Sequence, residues 1–367
     1  MKKIMLIFGT RPEAIKMCPL VAELKALGNC NVIVCTTGQH KELLCEVLDA
    51  FCVVPDYKLS IMKEGQSLSD ITCRVVEGIS RLLLREHPDI VLVHGDTTTA
   101  FATSLAAFYC GIAIGHVEAG LRTYNIHSPY PEEFNRCAIS LLAKYHFAPT
   151  EAAKKNLLRE GHNEKSIFVT GNTGIDALRF TVREDFCHEL LSKAEGRRII
   201  MLTMHRRENI GAPMRNVFCA LKRIAEEYSD VCVIYPIHPN PKVREIVLAE
   251  LCGSERIFLC EPLGVFDFHN FLARSNLIVT DSGGIQEEAP YFKKPVLVVR
   301  DTTERPEGVE AGTLRLVGTD FVSVYKNLKL LLDDTAVYHS MAQAKNPFGD
   351  GFASSRIADV VFDAFER

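Results

Sequence analysis

The sequence predicts an α/β protein made of two Rossmann-like, doubly wound domains facing each other across a cleft. Short, nearly continuous apolar runs alternate with helical patterns along most of the chain. That is the pattern of parallel strands covered on both faces by helices. The runs form two series joined by a charged stretch at 174–197. The two series also echo each other: VLVHGDTTTA and LIVTDSGGIQEEA both run from an apolar strand through a small-residue turn into a helix.

The elements follow in order. In the first series KIMLIF (3–8), NVIVC (31–35), DIVLVH (89–94), IAIGHV (112–117), YHFAP (145–149) and SIFVT (166–170) read as strands. Between the first two, residues 12–27 read as a helix, with Pro12 at its start and Ile15, Cys18, Val21, Leu24 and Leu27 at three-residue steps. Pro19 is expected to break or kink it. The second series is RIIMLT (198–203), VCVIYPI (231–237), RIFLC (256–260), NLIVT (276–280) and PVLVV (295–299).

At 367 residues the chain is long enough for two domains, each with its own core. Hydrophobic content of 47% and charged content of 24% are those of a soluble globular protein. A net charge of −4 supplies no basic excess for neutralising phosphates, which argues against nucleic acid as a partner. The 13 cysteines include no CxxC pair and no zinc spacing, so they read as small apolar residues in a reducing cytosol. The apolar start is cut at Gly9, too soon for a signal peptide or a membrane span. A cytoplasmic protein with no membrane partner is expected.

Chemistry concentrates at strand ends. Residues 90–123 read as strand, helix and strand, with Asp96 and Glu118 just past the two strands. In a parallel unit both strands end at one edge, so the two acids are expected there together. SPYPEEFNR brings a third acid, Glu132, to the start of a helix. Three acids near one edge suggest proton chemistry.

Other segments suggest anion binding, each with a plainer alternative. In DSGGIQEEAP, residues 281–290, Ser282, Gly283 and Gly284 form a turn and helix start that suits a phosphate, and Glu288 could accept ribose hydroxyls. The alternative is a tight turn with a solvated Glu. Arg305 in RDTTERPEGVEAG reads as a phosphate or uracil contact, or as part of a solvated loop. Arg11 and Lys16 in FGTRPEAIK read as anion contacts, or Arg11 as a surface pair with Glu13. His205, Arg206 and Arg207 at the end of another strand suit a diphosphate. Most of His94, His116 and His238 read as satisfied structural histidines, and no metal site is expected. Neither a GxGxxG fingerprint nor a Walker A loop is present, which disfavours NAD or ATP.

Taken together, GTRPEAIK, TTGQHKELL, VHGDTTT, HVEAGLRT, PYPEEFNR, MHRREN, DSGGIQEEAP and RDTTERPE, in that order, closely resemble the non-hydrolysing bacterial UDP-N-acetylglucosamine 2-epimerases over essentially the whole chain. The resemblance implies a glycosyltransferase-B type fold. Its first domain, 1–172, would carry the acid and base residues, and the second, 173–350, would bind UDP. The helix 351–367 would pack back on the first domain. It implies catalytic roles for Arg11, Lys16, Asp96, Glu118, Glu132 and His205. Arg11, His205, Phe268, Ser282, Gly283, Gly284, Glu288 and Arg305 would bind the substrate. Gln39, His40, Gln66, Arg206 and His238 match an activating second site, although Gly65 stands where some members carry an Arg.

The implied reaction is reversible epimerisation at C2 of UDP-N-acetylglucosamine to UDP-N-acetylmannosamine, supplying cell-surface polysaccharide synthesis. UDP would be eliminated to leave a 2-acetamidoglucal and then added back. No redox cofactor and no metal are needed, and a homodimer is expected. The nearest rival is a hydrolysing epimerase that releases N-acetylmannosamine and UDP. An epimerase of a modified UDP-sugar is a second rival; a glycosyltransferase, a UDP-sugar sensor and an NAD-dependent dehydrogenase are more distant.

Overall fold

A computed structural model of the chain describes residues 1–38, 41–61 and 65–366. It divides into two compact units, one of Met1–Phe180 with the segment from Phe348 to the C-terminus, the other of Thr181–Pro347. Residues 173–180, which the sequence reading gives to the second domain, fall in the first unit.

The first unit holds strands β1 (Lys2–Phe8), β2 (Cys30–Thr36), β3 (Tyr57–Lys58), β4 (Ile90–His94), β5 (Ala113–Val117), β6 (Tyr145–Ala148) and β7 (Ile167–Val169). They form one parallel sheet in the order β3-β2-β1-β4-β5-β6-β7. The second unit holds β8 (Arg198–Thr203), β9 (Val231–Pro236), β10 (Ile257–Cys260), β11 (Leu277–Thr280), β12 (Val296–Val298) and β13 (Leu314–Leu316). Their parallel order is β10-β9-β8-β11-β12-β13. Both units are α/β and doubly wound, as the alternating pattern predicts. The strand order reverses between β1 and β4 in one sheet and between β8 and β11 in the other. Open α/β sheets bind ligands at such switch points, beyond the carboxyl ends of the strands.

The edge strands β3 and β13 are not predicted from sequence. At two and three residues they are too short to carry a periodicity. The first helix, Arg11–Leu27, corrects a further expectation, because it runs unbroken through Pro19. Pro19 is itself buried on a face with Met17, Cys18, Leu20, Val21 and Leu24. Burying that face is worth more than the one backbone hydrogen bond that proline forfeits. The helix starts with a capping box between Thr10 and Glu13 and stops at Gly28, whose φ of 70° suits glycine.

The C-terminal helix Ala353–Glu366 lies on this first helix. Its Ile357, Ala358 and Val361 share a buried cluster with Met17, Leu20 and Leu24. The buried Asp176 carboxylate accepts the N–H groups of Ala353 and Ser354, at 3.1 and 3.3 Å, where that helix begins. In the second unit Phe218 and Tyr235 anchor the core, and the Tyr235 hydroxyl donates to the Met204 carbonyl at 2.8 Å. Among the described residues no helix is long and apolar enough to cross a membrane.

Candidate active site

In the first unit the candidate residues gather where β1, β4 and β5 end. His94 is paired in register with Val117, so Gly95–Asp96 and Glu118 leave adjacent strands at the same edge. Gly95 donates its N–H to the Val117 carbonyl at 2.9 Å. A Cβ placed on Gly95 would lie 4.0 Å from Glu118 Oε1. Glu118 has a φ of 64°, uncommon for a residue with a Cβ and a conformation that recurs where function holds a backbone strained.

Glu118 is 13% exposed and forms a short salt bridge with Lys16, whose side chain comes from the second turn of the first helix. His94 Nε2 lies 3.4 Å from Glu118 Oε2. Burial pushes the Glu118 carboxyl up, but the Lys16 ammonium and His94 outweigh it and hold the group well below the usual carboxylate range. Asp96 accepts from Arg136 Nη2 at 2.6 Å, and its backbone carbonyl accepts from Asn135 Nδ2 at 2.8 Å. Glu132 opens the helix Glu132–Leu142 that carries Asn135 and Arg136. Among the described residues the carboxylate of Glu132 makes no ion pair, and neither does the guanidinium of Arg11.

The two strand-end acids at this edge are separately paired with cations. Glu118 and Asp96 each have their own cation, because a carboxylate drawn partly out of water needs a counter-charge. At rest Glu118 is an anion.

Glu13 is not on the surface beside Arg11. It is 2% exposed, and its carboxylate accepts from Gly9 N–H at 3.0 Å, Thr10 N–H at 2.8 Å and the Thr97 hydroxyl at 2.7 Å. His116 is only partly satisfied. Its Nε2 meets the Gly95 carbonyl at 2.7 Å, but among the described residues its Nδ1 has no hydrogen-bond partner. Burial lowers its pKa to about 3, so the ring is neutral.

In the second unit the matching edge is formed by the ends of β8 and β11. The fully buried Asp281, just past β11, accepts from His205 N–H at 3.0 Å, Arg206 N–H at 2.9 Å and Asn209 Nδ2 at 2.9 Å. It therefore fixes the HRREN loop against the Ser282-Gly283-Gly284 turn. The His205 ring stacks on His238 with centroids 5.0 Å apart. Burial lowers the His238 pKa, and the neighbouring His205 adds to this.

Above Gly283 lie two arginines. A Cβ there would sit 3.7 Å from Arg305 Nη2, 3.8 Å from Arg206 Nη2 and 3.7 Å from Glu304 Oε2. Glu304 Oε2 is 3.7 Å from Arg206 Nη2 and 3.9 Å from Arg305 Nη1, while Arg305 Nε is bonded to Glu287. Glu288 Oε2 lies 3.6 Å from His269 Nε2, so it is not simply solvated. Phe268 occupies the helix Val265–Arg274, which also carries His269.

Of the residues matched to an activating site, Gln39 and His40 lie outside the described residues. The Gln66 side-chain oxygen accepts from Arg74 at 3.1 Å. Gly65 has a φ of 71°. Arg206 and His238 are both next to His205. Sequence reasoning missed the roles of Glu13, Glu133, Arg136, Asp281 and Glu304. A signal existed for Asp281, an acid directly after an apolar strand, and for Glu133 and Arg136, one helical turn apart.

Comparison with known proteins agrees with this geometry. Residues 22–362 match the family described as UDP-N-acetylglucosamine 2-epimerase. The UDP-N-acetylglucosamine 2-epimerase of Bacillus subtilis (strain 168) is 57% identical over 97% of this chain and 94% of its own. That of Escherichia coli (strain K12) is 49% identical over 98% of each. The crystal structure of UDP-GlcNAc 2-epimerase from Neisseria meningitidis bound to UDP-GlcNAc is 44% identical, with a TM-score of 0.85 over 98% of this chain and all of the other. The chain belongs to the UDP-N-acetylglucosamine 2-epimerase family of enzymes.

Proposed function

We propose that the chain interconverts UDP-N-acetylglucosamine and UDP-N-acetylmannosamine without releasing free sugar. The observation that carries this reading is the pair of strand-end carboxylates, Asp96 and Glu118, each held by a cation at the switch-point edge. C2 of the sugar has no neighbouring carbonyl, so its hydrogen is too weakly acidic for direct removal by a side chain. Departure of UDP from C1 generates an oxocarbenium-like centre, and the C2 proton then becomes removable. Loss of that proton leaves the C1–C2 double bond of 2-acetamidoglucal. Protonation of C2 on the opposite face and return of UDP to C1 give the epimer.

In this reading the second unit holds UDP. The turn at Gly283 and Gly284 and the guanidiniums of Arg206 and Arg305 take the diphosphate. His205, fixed by Asp281, helps with the developing negative charge. Ser282, Glu288 and Phe268 contact the remainder of the nucleotide. In the first unit Arg11 and Lys16 provide further positive charge, and Asp96, Glu118 and Glu132 carry protons to and from C2. Glu118, ionised at rest, has the protonation state that a base needs. Arg206 and His238 beside His205 support an activating second molecule that meets the first near this histidine.

Cleavage at C1 is tested by positional isotope exchange. With oxygen-18 in the bridge between the sugar and the β-phosphorus, the label moves into non-bridging positions at least as fast as epimerisation proceeds. A bridge that keeps its label through many turnovers contradicts the elimination.

A further inference from the structure

We propose that Arg136 is a positioning residue of the reaction, setting the Asp96 carboxylate through a bridge to buried Glu133. This rests on the proton-carrying role given to Asp96. The guanidinium uses two nitrogens on two carboxylates: Nη2 donates to Asp96 Oδ2 at 2.6 Å and Nη1 to Glu133 Oε2 at 2.9 Å. Glu133 is itself immobilised. It is fully buried, and its other oxygen accepts the N–H groups of Thr123 and Tyr124 at 2.8 and 2.9 Å.

Asn135, the neighbour of Arg136, holds the main chain of Asp96 at the same time. One helix turn therefore controls both the backbone and the carboxylate of Asp96. That turn is anchored to the loop 123–124 by Glu133. A carboxylate that exchanges a proton with carbon must be placed to a fraction of an ångström, and such placement comes from neighbours that are themselves locked. The planar fork of arginine can serve two carboxylates at once, whereas the ammonium of lysine is a single point of charge. Arg136 keeps its charge fully engaged, so it acts through Asp96 and is not itself an anion contact.

The test is a double-mutant cycle on the rate of epimerisation with Arg136→Lys, Asp96→Asn and the double variant, alongside the affinity for UDP. Lysine keeps the charge, so a folded variant is expected. Arg136→Lys lowers kcat by about 10- to 100-fold while the Kd for UDP changes by less than about threefold. In the Asp96→Asn background the same change costs less than about threefold, because its target is already gone. If Arg136→Lys leaves kcat within about threefold of wild type, or costs its full factor again in the Asp96→Asn background, the positioning role is wrong while Asp96 keeps its own. If Asp96→Asn turns over at the wild-type rate, the role of Asp96 falls, and that of Arg136 falls with it.

Discussion

Glu13 and Asp281 are counterparts. Each is a buried carboxylate that ties the loop after one central strand to the loop after its neighbour, at the point where the strand order reverses. Glu13, just beyond β1, bonds Gly9, Thr10 and, beyond β4, Thr97. Asp281, beyond β11, bonds His205, Arg206 and Asn209 beyond β8. Both halves thus build a rigid floor from a carboxylate and backbone amides, and the candidate functional side chains project from it.

Removing the charge of Asp281 should loosen that floor. In Asp281→Asn the buried amide places an NH₂ group where N–H donors now converge. The loss is expected to be about 2–3 kcal/mol of unfolding free energy, read from urea titration. UDP binding measured by calorimetry weakens in parallel. Unchanged stability would mean that Asp281 does not organise the loop.

Gly283→Ala separates binding from folding. The added methyl would meet its nearest neighbours at 3.7–3.8 Å, an ordinary contact distance. Stability should stay within about 0.5 kcal/mol. The methyl points at the two arginines, so UDP affinity falls at least about tenfold, or ~1.4 kcal/mol. Wild-type affinity in calorimetry would remove the turn from the nucleotide site.

Glu304 lies beside Arg206 and Arg305, so on the proposed reading it would compete with an anionic ligand for them. In Glu304→Gln the Kd for UDP should fall by about threefold in low salt, and the gain should fade near ~0.5 M salt as screening removes the competition. A weaker Kd in the variant at low salt would show that Glu304 supports the ligand.

Two buried histidines should make the stability of the first unit sensitive to acid. Burial lowers the pKa of His116 from 6.5 to about 3 and that of His146 from 6.5 to about 4. Both rings are neutral when folded but protonate on unfolding once the pH drops below about 6.5, so each removes stability as the pH goes from about 6.5 towards 4, while Asp176, whose carboxyl burial raises to about 7, acts in the opposite sense. Each contributes a slope of up to about 1.4 kcal/mol per pH unit. In His116→Gln the pH dependence of urea unfolding should lose about one proton of slope. An unaltered slope would mean that His116 protonates freely in the fold.

The strands were legible because a sheet buried on both faces demands unbroken apolar runs, and NLIVT or RIIMLT can serve little else. The edge location of Asp96 and Glu118 followed from the same logic. Their electrostatics did not. The cation for Glu118 comes from Lys16, 102 positions away, and that for Asp96 from Arg136, 40 positions away. No local pattern announces such pairs. Glu13 shows the converse: beside Arg11 in sequence it looks like a surface partner, yet its helix start turns it inward to Thr97. Pro19 was read by its local rule, and the buried face around it overrode that rule.

On the proposed reading the sugar passes through a glycal while UDP remains to be added back. Turnover of UDP-N-acetylglucosamine in deuterated water, followed by proton NMR, tests it most directly. Deuterium is expected at C2 of UDP-N-acetylmannosamine and of recovered UDP-N-acetylglucosamine, with UDP attached in both. Retention of the original hydrogen at C2, or accumulation of free N-acetylmannosamine and UDP as the products, would contradict it.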